Sequence, residues 1–299
     1  MPLNLSILYR GPLSSCNYDC SYCPFAKHWE SPEELARDRA SLARFVGWIA
    51  DRPQDVFAVF FTPWGEALVR RWYRDAVVSL SQLPNVVKVA VQTNLSCALD
   101  WLRHADVAKV GLWCTYHPNQ TTRAAFLDQC RRLDDLAVRY SVGCVGLREH
   151  GEEIARLREA LPPSVYLWIN AYKDARAYYD QRTFDFFAAI DPLFPINSEN
   201  HASLGRSCRS GSTVVAVDGD GNVRRCHFVA DIIGNLYARD FAPALTPRPC
   251  PNATCDCHIG YVHLEHLRLD EVFGESLLER IPAHWRDGRK DDLGCGVAR

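Results

Sequence analysis

Long apolar runs are missing from this 299-residue chain. None approaches the ~18 residues that a membrane-crossing helix needs, and Met1-Pro2-Leu3-Asn4 is not a charged segment leading into an apolar one, so nothing here reads as an export signal. An excess of either charge is missing too. Lys and Arg total 34 against 36 Asp and Glu, and the basic residues are interspersed with the acids, which leaves no basic footprint for nucleic acid. Internal repeats and low-complexity stretches are absent as well. The expectation is a cytoplasmic globular protein with neither a membrane nor a nucleic acid as partner. With 47% apolar residues, the chain can bury the core of one large domain and a smaller one.

Cysteine is abundant, at thirteen residues. Reducing compartments keep thiols from pairing, so without an export signal metal ligation explains them better than a disulfide framework. They also segregate: Cys16, Cys20 and Cys23 lie near the start, and Cys208, Cys226, Cys250, Cys255, Cys257 and Cys295 in the last third. Cys97, Cys114, Cys130 and Cys144 stand alone and are expected to be small core residues.

Six segments rich in Val, Ile, Leu and aromatics predict strands near residues 3 to 9, 56 to 62, 86 to 92, 107 to 115, 140 to 146 and 165 to 171. Helical patterns lie between them. Ser31-Pro32-Glu33-Glu34 is a capping box with proline at the first helical position, followed by Leu35, Leu42, Phe45 and Ile49 at helical spacing; Phe126, Cys130, Leu133 and Ala137 mark another helix face. Strand alternating with helix implies a parallel sheet curled by right-handed crossovers. Six units fall short of the eight that close a TIM barrel. The expected class is therefore α/β, an open, partial (β/α)6 TIM-like barrel whose ligands sit beyond the carboxyl ends of the strands.

Residues 191 to 200 are rich in turn formers and lack either period, which places a domain boundary near residue 205, with a barrel at 1–205 and a small cysteine-rich domain at 206–299. Beyond it, residues 213 to 217 and 223 to 226 flank Asp218-Gly219-Asp220-Gly221-Asn222 as a hairpin. A calcium loop is excluded there, because Val223 stands where the loop needs glycine and Val229 where it needs a bidentate Glu.

Cys16-Asn17-Tyr18-Asp19-Cys20-Ser21-Tyr22-Cys23 is a C-x3-C-x2-C run directly after the first expected strand. Soft sulfur ligands select iron-sulfur or zinc. A structural zinc wants a fourth ligand, for which His28 is near in sequence, whereas three thiolates on a cubane leave one iron open to an exogenous cofactor. With an aromatic residue just before the third cysteine, this run resembles the cluster motif of the radical S-adenosylmethionine (SAM) superfamily. That resemblance covers residues 1 to about 205. It implies that Cys16, Cys20 and Cys23 hold a 4Fe-4S cluster, that SAM chelates the open iron, and that an electron-donor protein supplies the electron that splits SAM into a 5'-deoxyadenosyl radical, which abstracts hydrogen from a substrate.

The same resemblance assigns cofactor contacts at the other strand ends. Tyr22 belongs to the motif itself. Thr62-Pro63-Trp64-Gly65-Glu66 looks like the family's Gly-Gly-Glu motif with Trp64 replacing the first glycine; Gly65 would admit close backbone approach and Glu66 would accept from the SAM ammonium. Thr93 and Asn94 after the third strand and Thr115 after the fourth occupy positions of polar SAM contacts. Gly146 and Glu149 match the second half of the Gly-x-Ile-x-Gly-x-x-Glu motif, whose first half Val142 and Cys144 do not match, and Asn170 would reach the ribose.

Cys208, Gly221 and Cys226 form a C-x12-G-x4-C pattern, and with Ile233-Gly234-Asn235 and the Cys250, Cys255, Cys257 group this resembles the SPASM and twitch extensions, over residues 206 to about 260. The C-x4-C-x-C spacing departs from a full SPASM domain, so the resemblance implies a twitch-like domain with a single auxiliary 4Fe-4S cluster held by Cys208, Cys226 and two of Cys250, Cys255 and Cys257. Four thiolates would equally satisfy a structural zinc. Cys295 is read as uninvolved. The substrate is a peptide or a small molecule; the first strand begins near Leu3, and the lack of a leader-binding domain ahead of it leans towards a small molecule or delivery by a separate protein. The rival readings are an electron-transfer iron-sulfur protein without SAM chemistry and a zinc-stabilised binding module.

Overall fold

The computed structural model describes residues 2–25, 29–173, 175, 177–239, 241–276 and 278–285. The readings made of His28 and Cys295 lie outside the described residues.

The six strands form where expected: β1 (Asn4–Arg10), β2 (Val56–Phe61), β3 (Val86–Thr93), β4 (Val110–Thr115), β5 (Arg139–Val145) and β6 (Leu167–Asn170), side by side in chain order and all parallel. Their near-continuous apolar runs suit strands buried on both faces. Leu5, Ile7 and Tyr9 of β1 pack into the outer, helix-covered core, while Leu8 faces the inner one with Phe60, Trp113 and Trp168.

Helices α1 (Pro32–Ala50), α2 (Arg71–Gln82), α3 (Arg123–Asp135), α4 (Gly151–Ala160) and α5 (Gln181–Ile190) cover the outside. The capping box of α1 is complete, since the Ser31 hydroxyl accepts the Glu34 amide at 3.2 Å and the Glu34 carboxylate accepts the Ser31 amide at 2.7 Å. Helix α3 ends before Ala137, whose φ of 54° takes it out of the helical face to which its spacing assigned it.

Between β3 and β4 the expected helix is replaced by two 3₁₀ turns, Asp100–His104 and Val107–Lys109. This crossover must travel the length of a strand in few residues. A 3₁₀ turn advances ~2.0 Å per residue against ~1.5 Å for an α-helix, so it covers the distance with less chain.

After α5 the segment expected to be irregular forms one short helix, α6 (Phe194–Ser198), with Pro195 in its first turn, where proline's missing N–H costs nothing. Strands β7 (His201–Ala202), β8 (Val214–Asp218), β9 (Asn222–Arg224), β10 (Ile232–Asn235) and β11 (Thr254–Cys255) and helices α7 (His258–Tyr261) and α8 (Asp270–Phe273) follow. Strands β8 and β9 form the expected hairpin; Gly221 at its turn has φ of 82°, and a Cβ there would meet the Tyr237 ring at 2.3 Å. The hairpin joins the barrel sheet, since β8 pairs parallel with β1 from Ser6 and Val214 to Arg10 and Asp218, giving nine strands in the order β10-β9-β8-β1-β2-β3-β4-β5-β6.

The concave face of the sheet is filled by the chain's own C-terminal segment. Tyr261, Leu264, Leu269, Val272 and Phe273 pack with Leu8, Phe60, Trp113 and Trp168, each large apolar side chain contributing about 1.5–3 kcal/mol. Cys97, Cys114, Cys130 and Cys144 are buried. Among the described residues, no helix is long and apolar enough to cross a membrane.

Candidate functional site at the carboxyl ends of the strands

The loop that leaves β1 carries Cys16, Cys20 and Cys23, and the residues just before Cys16 are clamped from several sides. Leu13 donates its amide to Asp38 of α1 at 3.2 Å. The Glu30 carboxylate takes the amides of Ser14 and Ser15, at 2.5 and 2.7 Å, and Arg70 donates to the Ser15 hydroxyl at 2.7 Å. The Ser15 carbonyl accepts the amide of Glu66 at 3.0 Å. A Cβ on Gly65 would stand 1.9 Å from that carbonyl oxygen, so the close backbone approach expected at Gly65 is made by the cysteine loop itself. Burial raises the Glu30 carboxyl, but the hydrogen bonds of Ser15 and Ser14 overcome it and hold the group down at about 2.

The thiols face polar groups from neighbouring strand ends. Cys20 is buried, Cys16 and Cys23 are half-buried, and no described cysteine is in a disulfide. The Cys23 amide donates to the Cys20 carbonyl at 3.1 Å, which folds the motif into a turn. The Cys16 sulfur accepts the Tyr18 amide at 3.4 Å and the Asn94 side-chain amide at 3.8 Å. Donors aimed at a cysteine sulfur tune an iron-sulfur centre. Burial pushes the Cys16 thiol up, the Tyr18 amide opposing and the nearby Glu66 and Cys23 adding to the rise.

Tyr22 lies with its hydroxyl 2.9 Å from His117 Nδ1, which is also 3.4 Å from the Cys20 sulfur. Burial, with His150 adding, lowers His117 to about 4, so the ring is neutral at pH 7. On the far side of the loop, Asp19 and Gln120 exchange hydrogen bonds of 2.8 and 3.2 Å.

Glu66 is 5% exposed and accepts from Thr93 Oγ1 at 2.7 Å, Asn94 N at 2.6 Å and Leu68 N at 3.0 Å. Burial nonetheless raises its carboxyl. The structure thus brings Glu66, Thr93 and Asn94 together and, through Asn94, joins them to Cys16. Two of the three donors sit on Oε1, which leaves a lone pair on Oε2 for a further donor. Thr115 is buried at the end of β4. Gly146 donates its amide to the Asn170 carbonyl at 2.8 Å and receives the Tyr179 hydroxyl on its own carbonyl at 2.7 Å; Glu149 is exposed and accepts from Tyr178 at 3.3 Å. Gly146 and Asn170 thus meet at the ends of β5 and β6, with Glu149 on the 3₁₀ turn that follows. Sequence reasoning missed Glu30, Arg70 and Asp38, which position the cysteine loop and carry no local motif.

The C-terminal cysteines approach one another. Burial pushes Cys255 up to about 12, and Cys226, Cys257, Cys250 and Cys208 all add to the rise. Burial raises Cys226, with the Phe228 amide and Arg225 opposing and Cys208 and Cys250 adding to the rise. Burial also raises Cys257, with Asp256 adding to the rise and the Ile259 amide, Arg10 and Lys173 opposing it. Cys250 and Arg206 are joined through backbone hydrogen bonds around Ser203 to Arg206, including Cys250 N to Arg206 O at 3.1 Å. Among the described residues, no group of three or more His, Cys, Asp or Glu converges as it would around a bound metal ion. The donor sets themselves, three thiols on one loop and four or five in the C-terminal region, have the sulfur chemistry that iron-sulfur clusters take.

No family model matches the chain, and no curated protein matches it. Solved structures do. The chain is similar to anSMEcpe with bound AdoMet at 14% identity and a TM-score of 0.55, over 98% of this chain and 94% of that one. It is similar to SuiB of Streptococcus suis bound to S-adenosylmethionine at 12% identity and a TM-score of 0.51, over 81% of this chain and 65% of that one, so it spans less than two thirds of SuiB. The chain shares the fold of these two S-adenosylmethionine-bound proteins.

Proposed function

We propose that the chain is a radical SAM enzyme, in which Cys16, Cys20 and Cys23 hold a 4Fe-4S cluster. The observation that supports this best is the placement of three thiols, on a loop clamped by Glu30, Asp38 and Arg70, at the carboxyl end of β1 in a sheet of this fold. When bound, cluster and SAM supply reductive cleavage of the sulfonium and a 5'-deoxyadenosyl radical that takes hydrogen from the substrate.

The chain's own residues bind and orient. Glu66 offers its remaining Oε2 lone pair to the SAM ammonium, while Thr93 and Asn94 fix the carboxylate. Asn94 and Tyr18 donate to the Cys16 sulfur, and Tyr22 with neutral His117 walls the loop. Thr115, Gly146, Glu149 and Asn170, at the following strand ends, would hold the rest of SAM. An electron-donor protein is the expected partner.

Residues 206–299 are proposed as a twitch-like domain with one auxiliary 4Fe-4S cluster. Cys208 and Cys226 with two of Cys250, Cys255 and Cys257 would be its ligands, and the rise that Cys226, Cys257, Cys250 and Cys208 all impose on Cys255 supports a common neighbourhood for the five. A peptide substrate gains support from the structures of anSMEcpe with Cp18Cys peptide and of SuiB with precursor peptide SuiA.

The test is anaerobic incubation with SAM and a reductant. The expected product is 5'-deoxyadenosine, lost together with one cluster's worth of iron when Cys16, Cys20 and Cys23 are all replaced by Ala. Iron-sulfur absorption without any 5'-deoxyadenosine would leave the electron-transfer reading, and zinc without that absorption the binding-module reading.

A further inference from the structure

A cavity of about 720 Å³ opens beside the cysteine loop, between Pro24 and Phe25, which follow Cys23, and His227, which follows Cys226. Residues that adjoin both groups of cysteines in the chain therefore share its wall. Its walls hold three arginines and two aspartates. Two of the arginines are already paired, Arg37 with Asp220 at 3.2 Å and Arg224 with Asp218 at 2.9 Å. Arg10 is not: among the described residues no carboxylate reaches it.

Arg10 is nevertheless held firmly. Its Nε donates to the Thr62 carbonyl at 2.7 Å, and its guanidinium lies over the Trp64 ring, 4.1 Å from the centroid. Phe25 meets the same ring edge-on at 4.9 Å. Burial lowers Arg10 only to about 10, so it stays charged at neutral pH. The neighbouring His227, with Nε2 3.2 Å from Thr62 Oγ1, is kept neutral by burial and by Arg10 and Arg224. With one face stacked on Trp64 and Nε occupied, the guanidinium presents its two terminal nitrogens, the edge that matches a carboxylate bidentately. Trp64 is 45% exposed, a large apolar surface beside that charge.

We infer that Arg10 and Trp64 form a subsite for a carboxylate carried on an apolar or aromatic body, and that this group anchors the substrate beside the cysteine loop. The pairing supplies a carboxylate to the one cavity arginine that has none among the described residues, and Trp64, which replaces the first glycine of the Gly-Gly-Glu motif, supplies the apolar wall. Only the identification of the occupant as substrate rests on the radical SAM reading; the binding itself does not.

The test is equilibrium dialysis of the full chain, purified anaerobically, against 3-phenylpropionate and its uncharged amide. The carboxylate is expected to bind at least about tenfold more tightly than the amide, the scale of one charged hydrogen-bonded pair. Arg10→Gln should abolish that preference, and Arg10→Lys, which keeps the charge, should retain part of it, separating lost recognition from a misfolded chain. Saturating SAM should not displace the probe. Equal binding of the two probes by the parent, a preference intact in Arg10→Gln, or displacement by SAM would each overturn the inference. If the preference holds while the parent makes no 5'-deoxyadenosine, the enzyme reading fails and the subsite stands.

Discussion

The carbonyl oxygen of Ser15 lies 1.9 Å from where a Cβ on Gly65 would stand, and it accepts the amide of Glu66 at 3.0 Å. Two loops from different strand ends, one leading into Cys16 and the other carrying the Gly-Glu pair, are thereby locked backbone to backbone.

Gly65→Ala should therefore separate them. The obstructing atoms are backbone, so relief requires moving the cysteine loop, and the cost should reach the upper part of the ~1–3 kcal/mol typical of overpacking. A lower melting temperature together with reduced iron content is expected; full iron loading in a chain of parental stability would show that the contact does not hold the loop.

Glu66→Gln replaces an acceptor-only group with one whose NH₂ must face either the Asn94 amide or the Thr93 and Leu68 donors. A mispaired buried donor costs about 1–3 kcal/mol. Thermal melts should show that loss, and SAM affinity should fall while iron stays near the parental level. SAM affinity equal to the parent's would remove Glu66 from the cofactor site and leave it a scaffold residue.

For Glu30 the pH dependence has a definite sign. Its folded value of about 2 lies below the ~4.3 of an unperturbed Glu, so its contribution is complete above that unfolded value and is lost as pH falls towards 2. Glu30→Gln should melt below the parent at pH 7, and the gap should narrow as pH falls from about 4.3. A gap constant from pH 7 to pH 3.5 would mean that the carboxylate charge is not what secures Ser14 and Ser15.

Replacing Cys208 and Cys226 together by Ala tests the proposed second metal site. Iron should fall by about one cluster, on four-thiolate ligation, with reductive SAM cleavage partly retained, because in the proposed function the N-terminal cysteines alone would hold the open iron. Zinc lost in place of iron, with a loosened C-terminal region, would identify a structural zinc. If neither metal changes, these cysteines hold none. Cys257→Ala, by contrast, should leave the metal content intact if Cys250 and Cys255 complete the ligand set.

What the sequence determined by itself was the local part of the molecule. Six apolar runs became six parallel strands because burial on both faces leaves a continuous signature, and the capping box at Ser31 formed because its partners are three residues apart. The C-x3-C-x2-C spacing, likewise local, marked the loop after β1 as the one to inspect. Tertiary structure alone decided what depends on distant partners. The β8 hairpin is legible from its turn residues, but its pairing with β1 some 200 residues earlier, as Ser6 to Val214, is not. The third crossover became 3₁₀ because the span to be bridged, not the propensity of its residues, set its geometry. Glu30, Asp38 and Arg70 became anchors of the cysteine loop, and Arg10 came to face a cavity with no carboxylate in reach among the described residues, only once separate segments met. Propensity and motif spacing act over a few residues, whereas a charge or a carbonyl gains its role from whatever the fold brings within hydrogen-bond reach.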